Sequence, residues 1–422
     1  MKIKTMEMPY KEVEKLPPFT HKKPMKTNPV LRLLIKVLSR ADFKDTDFTY
    51  ETNRMELCEN KPCFILMNHS CFMDLEMAFK IFNDRNFCIV CTSDGFVGKP
   101  LLMRNLGCIP TNKFVSDLSL IHDINYAINK MNVSVLMYPE ASYSFDGCAT
   151  PLPRKLGLLM KKLKAPVVTV ITEGAFHRDP LYNCLQKRKV HVHAKVECLF
   201  TPEELEQKSV AELDRALDEK FSFDSFAWQR ENKVKIDEPF RADGLERILY
   251  KCPHCLAEGK TKGKGIKLRC ESCGAEYKLD EYGVLQSEKP LFSHIPDWYK
   301  WEREQVKNEL LNSSYRLDTT VNIGVLRDDK AIYMIGSGRL LHTTEGFRLE
   351  SDDGSLVYTQ KPNVSYSLYS DYFWYELGDV ICIGTNDTLF YCFPEKGVPV
   401  AKARLATEEL YKIKKAEKAA NA

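Results

Sequence analysis

The sequence predicts an α/β fold with a mixed, mostly parallel sheet flanked by helices, followed by a small cysteine-rich ribbon and a C-terminal antiparallel β domain. Short apolar runs alternate with helix-like segments from Phe64 to about residue 200, as in parallel sheets with crossover helices. Two Cys-x2-Cys pairs come next, and short strand-like pieces separated by turn residues then occupy residues 315–403. Because 422 residues exceed one ordinary domain, we expect several.

Composition and charge limit the class of protein. Hydrophobic residues make up 44% and charged residues 28% of the chain, as in globular proteins. The net charge of +3 favours neither nucleic acid nor an anionic surface, although residues 1–45 carry eleven Lys/Arg against five Asp/Glu. We find no signal-peptide pattern and no apolar run of about 18 residues. Fifteen cysteines without an export signal predict a reducing compartment and a cytoplasmic location.

Residues 1–45 are predicted to form a basic arm and an amphipathic interfacial helix. Residues 1–27 show no clear period and are expected to be irregular, whereas Asn28 and Pro29 are a good N-cap and first helical residue. The helix has a broad apolar face made of Val30, Leu31, Leu33, Leu34, Ile35, Val37 and Leu38, opposite Arg32, Lys36, Ser39 and Arg40. The helix is expected to lie in a membrane interface or against its own domain's core with its basic face solvated, and the two are compatible if the apolar face is shared.

Residues 46–245 are predicted to form the α/β domain. Strands are expected at 62–67, 87–91, 133–138, 166–171 and 190–200, and helices at 116–131, 156–163 and 201–221. In an open parallel sheet, ligands bind at the carboxyl ends of the strands. His69 and Glu140 both fall just past such ends.

A histidine and a carboxylate follow the first of these strands in Asn68-His69-Ser70-Cys71-Phe72-Met73-Asp74. Asp74 can hold one imidazole nitrogen of His69 and leave the other to take a proton, which is the arrangement of a general base. The alternative is a capping Asn68 followed by a surface histidine. Motifs further along the chain favour the general base.

The sequence resembles the glycerolipid acyltransferases related to 1-acylglycerol-3-phosphate acyltransferase, which carry four ordered blocks. The matching segments are the His-x4-Asp motif His69–Asp74, Gly107 followed six residues later by Lys113, Tyr138-Pro139-Glu140-Ala141-Ser142-Tyr143-Ser144, and Ala165-Pro166-Val167-Val168. Lys155 and Gly157 also fall where the family often has Lys and Gly. The resemblance covers about residues 60–200, and we therefore expect residues 46–245 to be an acyltransferase domain.

The resemblance implies transfer of an acyl group from acyl-CoA or acyl-carrier protein to the hydroxyl of a lysophospholipid such as 1-acylglycerol 3-phosphate. In that mechanism His69 is the general base and Asp74 supports the imidazolium, with no covalent role for Cys71. Lys113 would hold the acceptor phosphate and Glu140 would shape the acceptor end; the alternatives are a solvated lysine and a helix-start carboxylate. The expected substrate-binding residues are Asn68, Gly107, Lys113, Pro139, Glu140, Ser142 and Lys155.

The sequence departs from the family pattern in the second and third blocks. Lys113 and Tyr143 stand where the family has arginine, and a lysine holds a phosphate as a point charge without the paired hydrogen bonds of a guanidinium. Ala141 replaces a glycine at a turn that can need a positive φ, while Ser142 keeps the hydroxyl of the family's threonine. These departures favour acyl transfer in general over any one acceptor.

Two cysteine pairs mark residues 246–285. Cys252 and Cys255 are separated by fourteen residues from Cys270 and Cys273, a spacing that predicts one structural Zn²⁺ in a zinc ribbon. The alternative is four unrelated thiols. A closed site of four cysteines leaves no position for catalysis. Lysines make the ribbon basic, but aromatic residues for base stacking are sparse, so we expect no nucleic-acid partner.

Residues 286–422 are predicted to form a β-rich accessory domain. A helix is expected over 298–311, followed by strands with turns at 328–329, 336–338, 352–354 and 386–387, and by a charged helix over 408–420. Many short strands followed by one helix is reminiscent of a pleckstrin-like barrel. We expect an accessory or lipid-surface module.

The leading prediction is a peripheral membrane acyltransferase of phospholipid biosynthesis, bound to anionic phospholipid on the cytoplasmic face. The alternative is a catalytically altered acyltransferase scaffold that serves as a lipid- or protein-binding module. A nucleic-acid-binding zinc protein is a third hypothesis. The intact His69 and Asp74 favour the enzyme, because a scaffold needs neither side chain.

Overall fold

The computed structural model describes residues 2–115 and 117–420. The N-terminal part forms the strand β1 (Thr5–Glu7) and the helices α1 (Tyr10–Val13), α2 (Pro29–Leu38) and α3 (Arg40–Asp45). The prediction of an irregular arm is therefore wrong for residues 5–13. Strand β1 pairs in parallel with a strand of the C-terminal domain, with Met6 opposite Tyr333, and this partner more than 300 residues away leaves no local pattern.

A seven-stranded sheet forms the centre of the α/β domain. Its strands are β2 (Thr49–Asn53), β3 (Phe64–Met67), β4 (Phe87–Thr92), β5 (Cys108–Thr111), β6 (Ser134–Met137), β7 (Val167–Glu173) and β8 (His193–Phe200), in the order β2-β8-β7-β3-β6-β4-β5. Strands β7 and β8 pair antiparallel, and the other neighbouring strands pair in parallel. The predicted mixed, mostly parallel sheet is confirmed.

Helices cover both faces of this sheet: α4 (Asp74–Ile81), α5 (Pro100–Asn105), α6 (Leu118–Asn129), α7 (Leu156–Leu163), α8 (Pro202–Gln207), α9 (Val210–Lys220) and α10 (Ser225–Glu231). Ile65 and Met67 of β3 pack in one core with α4, and the alternate residues Phe64 and Leu66 pack in another with α6 and α7. The single helix predicted over 201–221 is wrong, because a second capping box at Ser209 starts α9 afresh.

The ribbon is an antiparallel sheet of four short strands, and a long helix packs on it. The strands are β9 (Thr261–Lys264), β10 (Lys267–Cys270), β11 (Glu276–Leu279) and β12 (Leu285–Gln286), and the helix is α11 (Ile295–Leu311). Trp298 Nε1 donates a hydrogen bond of 3.0 Å to the Lys251 carbonyl, and the buried Trp298 ring joins α11 to the core of the ribbon. The predicted helix over 298–311 is confirmed and begins three residues earlier.

The C-terminal domain is an antiparallel sheet, as predicted. Its strands are β13 (Leu317–Leu326), β14 (Ile332–Thr343), β15 (Gly346–Ser351), β16 (Val357–Gln360), β17 (Tyr369–Trp374), β18 (Gly378–Gly384) and β19 (Leu389–Pro394), in the order β16-β15-β14-β13-β19-β18-β17 with β1 beside β14. The predicted turn at 336–338 is wrong, because these residues lie inside β14. A Cβ at Gly338 would meet the Glu350 carbonyl at 2.3 Å, so glycine there permits close approach of β15.

The chain ends in helix α12 (Val400–Ala420), which begins eight residues before the predicted charged helix. Its first eleven residues are buried, including Lys402, Arg404, Glu408 and Glu409. Those charges have partners within the molecule, and the sequence alone does not distinguish such a helix from a solvated one.

The C-terminal sheet packs directly on the α/β domain. Val97 shares a core with Tyr369 and Trp374, and the Tyr369 hydroxyl donates a hydrogen bond of 2.5 Å to Asp94 Oδ2. Asn112 Nδ2 donates to the Asn386 carbonyl at 2.9 Å. The region between β4 and β5 and just beyond is therefore covered by the accessory domain. Within the described ranges, no helix has the length and apolar character needed to cross a membrane.

Candidate active site

The His69 imidazole lies directly after the central strand β3, at its carboxyl end. Nδ1 is 2.8 Å from Oδ2 of Asp74, the first residue of α4. The same oxygen accepts hydrogen bonds from the backbone N–H groups of Ser70 (2.8 Å) and Cys71 (3.3 Å), so the carboxylate is fixed against the loop. The side chain of His69 is 16% exposed, and its use of Nδ1 leaves Nε2 for a substrate hydroxyl.

The surroundings of His69 favour a neutral imidazole. Burial lowers the pKa of His69, the Asp74 carboxylate opposes that shift, and the charge of Lys113 adds to the lowering. The neutral ring can accept a proton near neutral pH. Cys71 is 2% exposed, and burial beside the Asp74 charge raises the pKa of its thiol well above the ordinary value, which makes it a poor nucleophile.

Two tyrosine rings enclose the imidazole. The ring centroid of Tyr138 lies 4.1 Å from that of His69 and the centroid of Tyr143 lies 3.8 Å away, both in stacked geometry. Phe72 stacks on the outer side of Tyr143 at 5.5 Å and is 54% exposed. Tyr143, which the sequence marks only as a departure from the third block, is thus a wall of the site that fixes the imidazole plane.

Glu140 connects the third block to the first. Its Oε2 accepts a hydrogen bond of 3.1 Å from the backbone N–H of His69, and its Oε1 accepts from the N–H and hydroxyl of Thr150 at 2.9 and 3.1 Å. Glu140 is 1% exposed, and burial raises its pKa to about 7. The alternative of a helix-start carboxylate is wrong, since the next helix, α7, begins at Leu156.

Three other predicted site residues lie close to this cluster. Asn68 is fully buried and ties β3 to β7, because its Oδ1 accepts from the Thr172 N–H (2.7 Å) and its Nδ2 donates to the Thr172 carbonyl (3.0 Å). Pro139 and Ser142 are buried on either side of Glu140 and Ala141. Ala141 has φ +56°, so the suggestion of a positive φ at this turn is confirmed, at a cost of about 1 kcal/mol relative to glycine.

The remaining predicted substrate residues have different surroundings. Gly107 has φ +80°, and a Cβ there would meet Thr27 Oγ1 at 2.6 Å, so glycine allows the N-terminal arm to pass. Lys113 Nζ lies 4.3 Å from the Tyr369 ring centroid, and burial lowers its pKa while Asp371 and Asp94 oppose this. Lys155 is exposed; its backbone N–H bonds Asp214, and no described hydrogen bond links its side chain to His69.

The C-terminal domain supplies charged groups that sequence reasoning missed. Asp371 of β17 is close enough to Lys113 that each shifts the other's pKa, and burial raises the pKa of Asp371 to about 6. Arg404 of α12 donates a hydrogen bond of 2.8 Å to Ser142 Oγ. These residues lie more than 250 positions from the segments they contact; the one local signal is for Arg404, which with Lys402 stands in the apolar run Val398–Leu405.

The ribbon holds a candidate metal centre. The Sγ atoms of Cys252, Cys255, Cys270 and Cys273 lie within 4.8 Å of one another, with Cys252–Cys273 and Cys255–Cys270 both at 3.7 Å. Tetrahedral Zn²⁺ with Zn–S bonds of about 2.3 Å requires S···S distances of about 3.8 Å. The four thiols therefore fit that ion. His254 Nε2 is 2.9 Å from the Tyr277 hydroxyl, outside the four-sulfur set.

A histidine–carboxylate pair lies at the carboxyl end of a central strand, beside a second buried carboxylate, and such a pair can carry out acid–base chemistry. Residues 40–173 match the family model described as Acyltransferase, and this part of the chain is an acyltransferase domain.

One solved structure to which the chain is similar is the 1-acyl-sn-glycerophosphate (LPA) acyltransferase PlsC from Thermotoga maritima. The TM-score is 0.36 and the sequence identity 16%, over 48% of this chain and 80% of that one. No curated protein matches the chain.

Proposed function

We propose that the chain transfers a fatty acyl group from an acyl thioester, acyl-CoA or acyl-carrier protein, to the hydroxyl of a lysophospholipid such as 1-acylglycerol 3-phosphate. The observation that carries the proposal is the 2.8 Å contact between His69 Nδ1 and Asp74 Oδ2 at the strand end of an acyltransferase domain. Acid–base chemistry is what this pair can supply, and acyl transfer to a hydroxyl needs one base.

In this mechanism Nε2 of His69 takes the proton of the acceptor hydroxyl as its oxygen attacks the thioester carbonyl. The new C–O bond forms, the C–S bond breaks, and the leaving thiolate receives the proton from the imidazolium. Asp74 stabilises the imidazolium through Nδ1. The buried, high-pKa thiol of Cys71 has no part in the reaction, so no acyl-enzyme forms.

Lys113 is the proposed partner of the acceptor phosphate. It lies in the second block, and its charge reaches His69, since it adds to the lowering of the imidazole pKa. Among the described residues none accepts a hydrogen bond from its Nζ, which lies 4.3 Å from the centroid of the Tyr369 ring. Its three N–H donors are therefore available to an anionic head group.

Helix α2 is the proposed membrane contact and brings the protein to its lipid acceptor. Arg32 donates to the carbonyls of Phe82 and Asn83 at 2.6 Å each, so this side of the helix meets the domain, while most of the apolar side chains point outward. The exposed apolar side chains on that face are Val30, Leu33, Leu34, Val37 and Leu38. This exposed apolar face lies beside α4, the helix that begins at Asp74. It therefore suits peripheral binding of the protein to an anionic phospholipid surface.

The four cysteines of the ribbon are proposed to bind one structural Zn²⁺. When bound, the ion cross-links the two knuckles and stabilises the ribbon. The cluster has no place in the acyl-transfer step, because a closed shell of four thiolates leaves no coordination position for substrate.

The experiment measures thiol release from acyl-CoA and from acyl-carrier protein over a panel of lysolipid acceptors. His69→Ala is the test variant, and His21→Ala is its matched control, because His21 also binds a carboxylate, Asp123 at 2.9 Å, but lies outside the site. We expect one acceptor to release thiol, His69→Ala to abolish release and His21→Ala to retain it. Absence of turnover with every donor and acceptor would favour the binding module instead.

A further inference from the structure

Helix α12 inserts a buried guanidinium into the turn that follows Glu140. Arg404 Nη2 donates to Ser142 Oγ at 2.8 Å, and Nη1 donates to the Tyr143 carbonyl at 3.2 Å. The guanidinium also lies 4.4 Å from the centroid of the Phe145 ring. Arg404 is 3% exposed, so these contacts are made away from solvent and fix the turn over residues 142–145.

The partners of Arg404 on its own domain fix its position. Arg404 Nε is 3.3 Å from Glu408 Oε1, one helical turn away. Glu408 also accepts from the Ser367 hydroxyl at 2.7 Å and pairs with Arg303 of α11 at 2.7 Å. A charged pair in such a buried setting is kept in one geometry by these additional hydrogen bonds.

The ribbon supports the same helix. Lys402, two residues before Arg404, pairs with Glu258 of the ribbon and with Glu309 of α11, both at 2.8 Å. Lys251 of the ribbon pairs with the same two glutamates at 3.1 and 3.0 Å. The ribbon, α11 and α12 thus form one connected support that ends at the third block.

We propose that Arg404 is a positioning residue for acyl transfer, which makes the C-terminal domain a working part of the active site. This inference rests on the proposed function. Arg404 does not touch the reacting atoms; it acts through the turn that keeps the Tyr143 ring 3.8 Å from the His69 imidazole and that begins next to Glu140. The third block has tyrosine where the family resemblance expects arginine, and α12 brings an arginine to the same turn.

The charge of Arg404 also acts on Glu140. Burial raises the pKa of Glu140 to about 7; the hydrogen bonds from Thr150 and His69 oppose this rise, and the charge of Arg404 opposes it further. The other titratable groups facing Glu140 are His69, whose N–H it binds, and Tyr366, whose own pKa Glu140 raises. With Arg404 in place, more of the carboxylate is ionised and both its oxygens can accept hydrogen bonds.

The test compares Arg404→Met with Arg303→Met and Arg404→Lys. Methionine keeps an unbranched apolar stem and removes the guanidinium with its charge. Arg303→Met is the matched control, because it also removes a cation from Glu408 but makes no described contact with the third block. One readout is kcat and KM for the acceptor. The other, which needs no turnover, is the carboxyl titration of Glu140 by 13C NMR, assigned with Glu140→Gln.

We expect Arg404→Met to lower kcat at least tenfold with a smaller change in KM, and to move the Glu140 titration to higher pH. Arg404→Lys, which keeps the charge and one hydrogen bond, should give values between those of Arg404→Met and the wild type, and it carries the test if Arg404→Met does not fold. Arg303→Met, which loosens Glu408 but leaves the contacts of Arg404 with the third block, should change both readouts less than Arg404→Met does.

Equal kcat and equal Glu140 titration in Arg404→Met and Arg303→Met would overturn the inference and leave Arg404 as a residue that only stabilises the domain. If the wild type transfers no acyl group, the proposed function fails separately. In that case an unchanged Glu140 titration in Arg404→Met overturns the inference, and a shifted one supports the action of Arg404 on the site.

Discussion

The Glu140 carboxylate accepts a hydrogen bond of 3.1 Å from the backbone N–H of His69, so the third block of the acyltransferase domain holds the first. Both carboxylate oxygens face hydrogen-bond donors, which suits the ionised form, whereas burial raises the pKa of Glu140 to about 7. The fraction of chains with an ionised Glu140 therefore changes near neutral pH.

We expect kcat/KM to rise with pH through about 7 as Glu140 ionises, because burial keeps the pKa of His69 below its ordinary 6.5 and this base is already neutral. In Glu140→Gln an amide N–H faces one of the groups that donate to the carboxylate, so activity should fall about tenfold or more. The acidic limb of the pH profile should then move below pH 6.5, because the amide does not ionise and His69 becomes the group that titrates. A limb that stays near 7 in Glu140→Gln would assign that ionisation to another group.

The raised pKa of Glu140 also determines whether the free energy of unfolding rises or falls with pH. The pKa of Glu140 is higher in the folded chain than its ordinary 4.5, so its contribution to the free energy of unfolding is fully present below about pH 4.5 and is lost as pH rises through about 7. Denaturant unfolding of Glu140→Gln across this range should show a smaller decline than the wild type.

Asp74→Asn tests the tautomer of His69. An amide can place the ring proton on Nε2, where it blocks proton acceptance, so kcat should fall about 10²- to 10⁴-fold with little change in KM. Steady-state kinetics measure this, with the acceptor that the thiol-release panel identifies. Asp179→Asn is the matched control: Asp179 is also buried and accepts the Phe72 N–H at 3.3 Å, but it does not contact His69. An equal loss in both variants would contradict a specific role for Asp74.

The sequence predicts those parts of the fold and of the site that are encoded by residues close together in the chain. Strands β3, β6 and β7 are buried and largely apolar, and His69 and Asp74 are five residues apart, so both the central strands and the candidate base can be found locally. The edge strand β2 escapes such reasoning, because its five residues are all exposed and mixed in character. Arg404 and Asp371 reach the site through tertiary packing alone, and no local pattern places them there.

Helix α2 shows a different limit of sequence reasoning. Asn28 and Pro29 correctly predict where the helix begins, and the spacing of its apolar residues predicts its two faces. Neither pattern indicates which face contacts the domain. In the structure Arg32 and Lys36 hydrogen-bond to the domain, with Lys36 Nζ 3.2 Å from Asn83 Oδ1, although the Lys36 and Arg40 side chains are exposed. Ile35 of the apolar face contacts the core, while most of the other apolar side chains of the helix are exposed.

Lys113→Met tests the acceptor phosphate. A charge-assisted hydrogen bond contributes about 1.5–3 kcal/mol, so KM for 1-acylglycerol 3-phosphate should rise about 10- to 100-fold, while an uncharged monoacylglycerol should be used as before. Lys113→Arg, which keeps the charge, should restore most of the affinity. The control is Lys130→Met on the exposed end of α6. Equal KM changes for charged and uncharged acceptors would contradict the phosphate role.

Cys252→Ser/Cys270→Ser tests the metal centre. Elemental analysis should find about one zinc per wild-type chain and almost none in the variant, and the melting temperature should fall by more than about 5 °C. Turnover should fall as well, because Glu258 of the ribbon pairs with Lys402 on α12 at 2.8 Å. Cys184→Ser, at a free cysteine outside the cluster, should keep its zinc. Full zinc occupancy in the double variant would show that the ligands are wrongly assigned.

Leu33→Glu/Leu34→Glu tests the membrane face of α2. Both leucines are exposed, at 62% and 49%, so the charges should leave the fold intact. Burying a leucine side chain contributes about 1.5–3 kcal/mol, and the double variant should lose at least tenfold in co-sedimentation with vesicles containing anionic phospholipid. Turnover of a short-chain, dispersed acceptor should remain within about threefold. Leu291→Glu/Leu311→Glu places the same charges on two exposed leucines of the ribbon–α11 region and should bind vesicles like the wild type. If both double variants lose vesicle binding equally, the effect comes from net charge and not from the apolar face of α2.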